Sequence, residues 1–178
     1  MKNLKETKIS SNIIFQGRFL DVRKDEILLP NGSKSTREWI KHPGAACIIP
    51  VLPNGMLGLI RQFRYPVNQE MIELPAGKID IGETPEMCAK RELEEEIGYK
   101  SNKITFLTHI HPAIGFADET MSLYLAEELI KTNIKQDEDE FLELIPTSLE
   151  DAKDMTWNGK ITDVKTIIGI HWAERMLK

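Results

Sequence analysis

Residues 84–98, TPEMCAKRELEEEIG, constrain the fold of this chain more than any other stretch. Thr84 offers a hydroxyl N-cap, and Pro85 sits at the first helical position, where its missing N–H costs nothing. Gly98 suits a left-handed stop. Between those signals, at about 100° per residue, Ala89, Leu93 and Ile97 form one apolar stripe that must face a core.

The same helix carries a charge problem. Glu92, Glu95 and Glu96 fall within about 100° of arc beside the apolar stripe. At spacings of three and four they are surface neighbours, and each like-charge pair costs roughly 0.2–0.5 kcal/mol. Glu94, Glu95 and Glu96 also crowd the C-terminal end, where the helix dipole disfavours anions. One reading is a solvated acidic face, the common fate of a glutamate run. The other is a divalent-cation site: carboxylates are hard oxygen ligands of the kind Mg²⁺ accepts, and a bound ion removes the repulsion. The second reading explains more.

The rest of the chain supplies the layers. Its 178 residues suit one domain, or one domain with an extension. Apolar runs at 13–15, 19–22, 27–29 and 39–40, punctuated by Pro30-Asn31-Gly32, read as a β-meander. Residues 45–52 and 56–65 flank Pro53-Asn54-Gly55 and read as a buried hairpin. Strands are expected at 71–77, 103–110, 121–129 and 141–146, with a loop, HPAIGFADET, over 111–120. Ser148 with Asp151 predicts a capped helix through 155, and an amphipathic helix follows over 163–177. The expected class is α+β, with residues 1–42 as a small N-terminal β-meander and 43–178 as the main domain.

Charge and cysteines narrow the function. A net charge of −5 argues against nonspecific nucleic-acid binding. No apolar run approaches the ~18 residues of a membrane span and the first residues lack a signal-peptide core, so no membrane and a cytoplasmic location are expected. The two cysteines, Cys47 and Cys88, have no metal spacing and read as buried thiols. His109 and His111 alternate at a strand end, but two ligands do not make a zinc site. His42 and His171 have no identifiable partner, and the acidic run at 135–140 reads as a solvated turn.

Spacing then decides between the two readings of the glutamates. Gly77, Glu83, Arg91, Glu92, Glu95, Glu96 and Gly98 together reproduce the Nudix box, with Tyr99 at a final position that is usually aliphatic. On these residues the chain resembles the Nudix hydrolases. REWIKHPGAACIIPVL, LIRQFRYPVNQEMIELPAGKID, GFADET and NGKITDVKTIIGIHWAE are similar to the ADP-ribose pyrophosphatase branch, from about residue 15 to the C-terminus. The resemblance implies an α/β/α Nudix sandwich with a mixed sheet, preceded by a small antiparallel sheet. It implies hydrolysis of ADP-ribose to AMP and ribose 5-phosphate with Mg²⁺, for which Mn²⁺ can substitute. It also implies a homodimer in which residues 1–42 help build the partner's substrate site. The alternatives are other nucleoside diphosphate sugars, of the GDP-mannose or ADP-glucose type, and a binding module without catalysis. The complete glutamate set argues against the last.

The resemblance also assigns residues. Glu92 and Glu96 are the strongest metal ligands, Glu95 the next, and the Ala76 carbonyl joins them. Glu119, in the loop after the box, takes the place of the general base; Glu95 and Arg91 complete the catalytic set, with Glu83 and Arg91 holding loop and helix together. For the phosphates, guanidinium forks are suited; Arg37 and Arg64 are favoured over Arg61, which points to the opposite strand face from Arg64. An adenine ring would want an aromatic platform. Phe15, Phe19, Trp39 and Phe116 are eligible, though each is also ordinary core; Trp39 and Phe116 are carried as substrate-binding. Ile114 precedes Gly115 where relatives acting on ADP-ribose usually carry proline, so this loop is expected to bend differently.

Overall fold

The N-terminal strands are longer and fewer than the apolar runs suggest. The computed structural model describes residues 3–133 and 141–177, so the acidic run at 135–140 lies outside the described residues. Strands β1 (Thr7–Gln16), β2 (Asp21–Leu28) and β3 (Lys34–Lys41) form an antiparallel sheet in the order β1-β2-β3. The runs at 19–22 and 27–29 fall at the two ends of β2 and are not separate strands. Lys24 and Glu26 between them are exposed while Asp25 and Ile27 are buried, so the polar residues are one strand face, not a turn. β1 begins in the polar stretch TKISSN because ladder pairing to β2, from Thr7 opposite Leu28, decides strand state there.

The chain divides into two compact units. One comprises the chain up to Pro43 together with Ala113–Thr120; the other comprises Gly44–Pro112 and the chain from Met121 onward. In the first unit the later segment is laced to β3: Ile40 N–H donates to Phe116 O at 2.8 Å and Asp118 N–H to Ile40 O at 3.3 Å.

The second unit holds β4 (Ala45–Pro50), β5 (Leu57–Arg64), β6 (Gln69–Glu73), β7 (Ala76–Lys78), α1 (Pro85–Ile97), β8 (Tyr99–Ile110), β9 (Met121–Lys131), β10 (Leu142–Thr147), α2 (Leu149–Trp157) and α3 (Val164–Met176). β4 pairs parallel with β9 and antiparallel with β7, giving a mixed sheet in the order β7-β4-β9-β8. β10, β5 and β6 form an antiparallel sheet.

The expected β4–β5 hairpin is therefore a misreading. Only its mouth closes, with a bridge between Val51 and Leu57 and a bond from Leu52 N–H to Met56 O at 2.8 Å. Beyond it the strands leave for different sheets. An apolar run followed by a Pro-Asn-Gly turn specifies a reversal, not which neighbour each strand takes.

Alternation along β4 and β9 explains the layers. Ala45, Cys47 and Ile49, with Met121, Leu123 and Leu125, pack against Ala152 of α2 and Ile170 and Ala173 of α3. Ala46 and Ile48, with Tyr124 and Ala126, pack against Cys88, Ala89, Leu93 and Ile97 of α1. Both sheet faces are covered, so β4 reads as unbroken apolar sequence. This is the expected α/β/α sandwich, and each large aliphatic side chain it buries contributes about 1.5–3 kcal/mol.

The caps at Thr84, Ser148 and Gly98 form as predicted, and Asp163 adds one that the sequence reading did not name. Thr84 accepts from Met87 N–H at 3.2 Å, Ser148 from Asp151 N–H at 3.0 Å, and Asp163 from Thr166 N–H at 3.0 Å. Gly98 closes α1 in the left-handed region, at φ 70° and ψ 39°. Cys47 and Cys88 are free and buried, and burial pushes each thiol up to about 12. Among the described residues no helix is long and apolar enough to cross a membrane.

Candidate active site

α1 turns its apolar stripe onto the mixed sheet and so fixes where its glutamates go. Glu92 and Glu96, one turn apart, are drawn toward the sheet and retain only 8% and 4% exposure. Glu96 accepts a hydrogen bond from Ala76 N–H at 2.9 Å. Glu92 lies against Gly77: a Cβ built on that glycine would fall 1.7 Å from Glu92 Oε1. The glycine of the box is thus required by close approach, since any side chain there would occupy the place of the carboxylate.

Arg91 compensates the clustered charge. Its Nη1 donates to Glu92 Oε1 at 2.6 Å and to Glu95 Oε2 at 2.8 Å. Its Nε and Nη2 fork onto Glu83 at 2.9 and 3.1 Å, and Nη2 also donates to Lys78 O at 3.0 Å. Glu83 in turn accepts from Asp80 N–H at 3.1 Å, so the loop after β7 is tied to the helix as expected. The hydrogen bond from Arg91 holds the Glu83 carboxyl below its usual range, despite an opposing effect of burial. In this arrangement one arginine relieves the helix repulsion that the sequence leaves to a cation.

The oxygens suit a hard cation nonetheless. Glu92, Glu95, Glu96 and the neighbouring Ala76 backbone supply the donor chemistry that Mg²⁺ accepts, and Gly77 leaves the Glu92 carboxylate its place. The carboxylates are shared between Arg91 and Ala76 and not gathered at one point; among the described residues no three His, Cys, Asp or Glu side chains form a ready ligand cage.

Other expected site residues lie in the N-terminal unit. Arg37 forks onto Glu6 through Nε, at 3.1 Å, and Nη2, and Nη1 donates to Thr36 O at 2.9 Å. The Arg23 guanidinium lies 6.0 Å over the Trp39 ring. Phe15, Phe19 and Phe116 are exposed, so none of the three is core; Phe116 is the one of them carried as substrate-binding. His42 was missed: its backbone N–H donates to Asp118 Oδ1 at 2.7 Å, its Nε2 lies 3.9 Å from Glu119 Oε1, and Phe19 meets its ring edge-on. Asp118 is thus a fastening of the loop. Nothing local could have shown it, because the partners are 76 residues apart.

A second group escaped the sequence reading. Arg64 Nε and Nη2 fork onto the buried Glu73 at 2.7 and 2.8 Å, and Lys165 of α3 meets the same carboxylate. Arg61, by contrast, pairs with Glu143 and Glu70 on the surface, as its strand face implies.

Comparison with known proteins agrees with this geometry. A NUDIX domain is matched over residues 40–165, and a nucleoside diphosphate sugar hydrolase N-terminal domain over residues 6–40. An ADP-ribose pyrophosphatase of Bacillus subtilis (strain 168) is 42% identical over 176 residues, covering 98% of this chain and 95% of the relative. A methanol dehydrogenase activator of Bacillus methanolicus is 37% identical, covering 97% and 95%. The crystal structure of an ADP compounds hydrolase superposes with a TM-score of 0.88 at 23% identity, over 99% of this chain and 97% of the other; at that identity the likeness supports the fold. With the domain matched over more than half its length and the box residues folded onto α1 and β7, this chain belongs to the Nudix family of hydrolases.

Proposed function

We propose that this enzyme hydrolyses the pyrophosphate bond of ADP-ribose to AMP and ribose 5-phosphate, using Mg²⁺ or Mn²⁺. The observation that carries the reading is the packing of Glu92 and Glu96 of α1 against β7, where Glu96 accepts from Ala76 N–H and Glu92 lies against Gly77, which has no side chain to displace it. A relative supports the substrate reading: the 42% identical Bacillus subtilis protein, matched over 98% of this chain, bears the name ADP-ribose pyrophosphatase.

Glu92, Glu95, Glu96 and the Ala76 carbonyl would hold the cation. When bound, Mg²⁺ offsets the charge of a diphosphate and makes water a better nucleophile. Arg91 keeps Glu83, Glu92 and Glu95 aligned through its bonds to all three. Arg64 and Arg37 bind phosphate, Trp39 and Phe116 contact the nucleoside, and Glu119 accepts the proton of the attacking water. Arg37 has a carboxylate, Glu6, on its fork, the kind of anion a phosphate replaces. The N-terminal unit, residues 1–42 in the sequence reading, serves a homodimer. All of β1 is exposed, including Ile9, Ile13, Ile14 and Phe15, an apolar surface that suits a second copy. Free buried thiols suit a reducing cytoplasm.

A panel of ADP-ribose, ADP-glucose and GDP-mannose with Mg²⁺, products separated by chromatography, tests the substrate. ADP-ribose should give the highest kcat/KM; a clear preference for GDP-mannose would move the assignment to that sugar nucleotide.

A further inference from the structure

Arg64 ends β5, and its guanidinium has a fixed edge. Nε and Nη2 are both committed to Glu73, the last residue of β6, in a two-bond fork. Among the described residues Nη1 makes no hydrogen bond, so one nitrogen is left over. The carboxylate that holds the fork is only 3% exposed. Burial works to raise its pKa, but the hydrogen bond from Arg64 and the charge of Lys165 outweigh it, and Glu73 stays an anion.

Lys165 is itself 6% exposed, an unusual place for an ammonium. It reaches from the first turn of α3 to Glu73 Oε2 and to Asp163 Oδ2, the latter at 3.0 Å. Asp163 is also the N-cap of α3 and accepts from Thr166 N–H at 3.0 Å and Thr166 Oγ1 at 2.5 Å. Thr166 Oγ1 in turn accepts from Leu74 N–H at 2.8 Å. Two cations and two anions therefore close a neutral group that joins α3 to the corner between β6 and β7. The corner continues directly into the site: Pro75 O accepts from Ile48 N–H at 2.9 Å, and Ala76 N–H donates to Glu96.

Such a group is a poor device for stability, because desolvating Glu73 and Lys165 offsets most of what the attraction returns. It is a good device for direction. An arginine at a strand end otherwise samples many rotamers, and fixing it in advance removes that entropy from the binding step.

We propose that Glu73 is a positioning residue, which, braced by Lys165 and Asp163, holds the Arg64 guanidinium with Nη1 presented to the diphosphate of the substrate. This rests on the reading of Arg64 as a phosphate ligand, but not on which sugar the substrate carries. The test therefore uses ADP, which has the diphosphate without the sugar. Titration calorimetry compares the wild type, Glu73→Gln, Arg64→Ala and the double variant, each with a thermal melt, alongside kcat and KM for ADP-ribose.

Glu73→Gln and Arg64→Ala should each weaken ADP by about 10-fold or more, the range of one charge-assisted hydrogen bond. The double variant should bind no worse than Arg64→Ala alone. For ADP-ribose the loss should appear in KM, with kcat little changed. Wild-type ADP affinity in Glu73→Gln, or losses that multiply in the double variant, would overturn the proposal. An affinity in Arg64→Ala equal to wild type would overturn it too, through the phosphate role of Arg64. If ADP-ribose is not hydrolysed yet the ADP cycle behaves as stated, the substrate assignment fails and the positioning role stands. Should Glu73→Gln not fold, Arg64→Lys answers the question: it keeps the charge but loses the fork, and must weaken ADP.

Discussion

At the scale of single residues, the site is defined by what it leaves out. Gly77 has an ordinary backbone, and its demand for glycine comes entirely from Glu92, whose carboxylate occupies the space of a Cβ. Gly77→Ala should displace that carboxylate while the core beneath is untouched. Metal affinity or kcat should fall by about 10-fold or more, the usual cost of disturbing a ligand's surroundings, with little change in the melt; unaltered kinetics would show that Glu92 is free to move. Glu119 and Asp118 are adjacent but unequal. Asp118 fastens the loop to the backbone of His42, whereas Glu119 lies 3.9 Å from the His42 ring. If Glu119 is the base, Glu119→Gln should lower kcat by about 10²–10⁴-fold with KM nearly constant. Asp118→Asn keeps an acceptor for the His42 N–H and should cost much less. The reverse order, measured at saturating substrate and Mg²⁺, would shift the base by one residue.

At the scale of elements, α1 was legible almost completely, because its start, stop, stripe and box lie within one local stretch. The hairpin was not. Val51 and Leu57 do bridge, yet β4 goes to β9 and β5 to β10, partners far along the chain that turn chemistry cannot name. The same limit hid Glu73 and Lys165, which are 92 residues apart, and the His42–Asp118 bond. The box glutamates could be read from spacing, and Arg91 as the partner of Glu83; that Arg91 also donates to Glu92 and Glu95 could not. The loop–helix tie has a pH signature. The hydrogen bond from Arg91 holds the Glu83 carboxyl below the usual glutamate range. A depressed carboxylate contributes stability above its unfolded pKa, and that contribution fades as pH falls through the lower folded value. Glu83→Gln should therefore lower the melting temperature at neutral pH and leave a shallower decline below about pH 4.5. Parallel acid profiles for variant and wild type would show that Arg91 does not hold the anion.

At the scale of the whole molecule, the N-terminal sheet carries apolar surface that a small isolated sheet has little reason to show. Ile9, Ile13, Ile14, Phe15 and Phe19 are all exposed. On the proposed dimer, a second copy of the chain would cover them. The full chain should sediment as a dimer, and deleting residues 1–42 should abolish association together with ADP-ribose binding. A truncated monomer with full activity would remove the shared-site idea and leave the sheet without a role.

The central claim is that the α1 carboxylates work through a divalent cation on a nucleoside diphosphate sugar. Phosphorus NMR of ADP-ribose turnover tests it in one series: wild type with a chelator, wild type with Mg²⁺ restored, and Glu96→Gln with Mg²⁺. The expected result is no hydrolysis with the chelator, recovery to AMP and ribose 5-phosphate with Mg²⁺, and a loss of at least about 10²-fold in Glu96→Gln at an unchanged fold. Near-normal turnover by Glu96→Gln at low Mg²⁺, or hydrolysis that persists under the chelator, would contradict it.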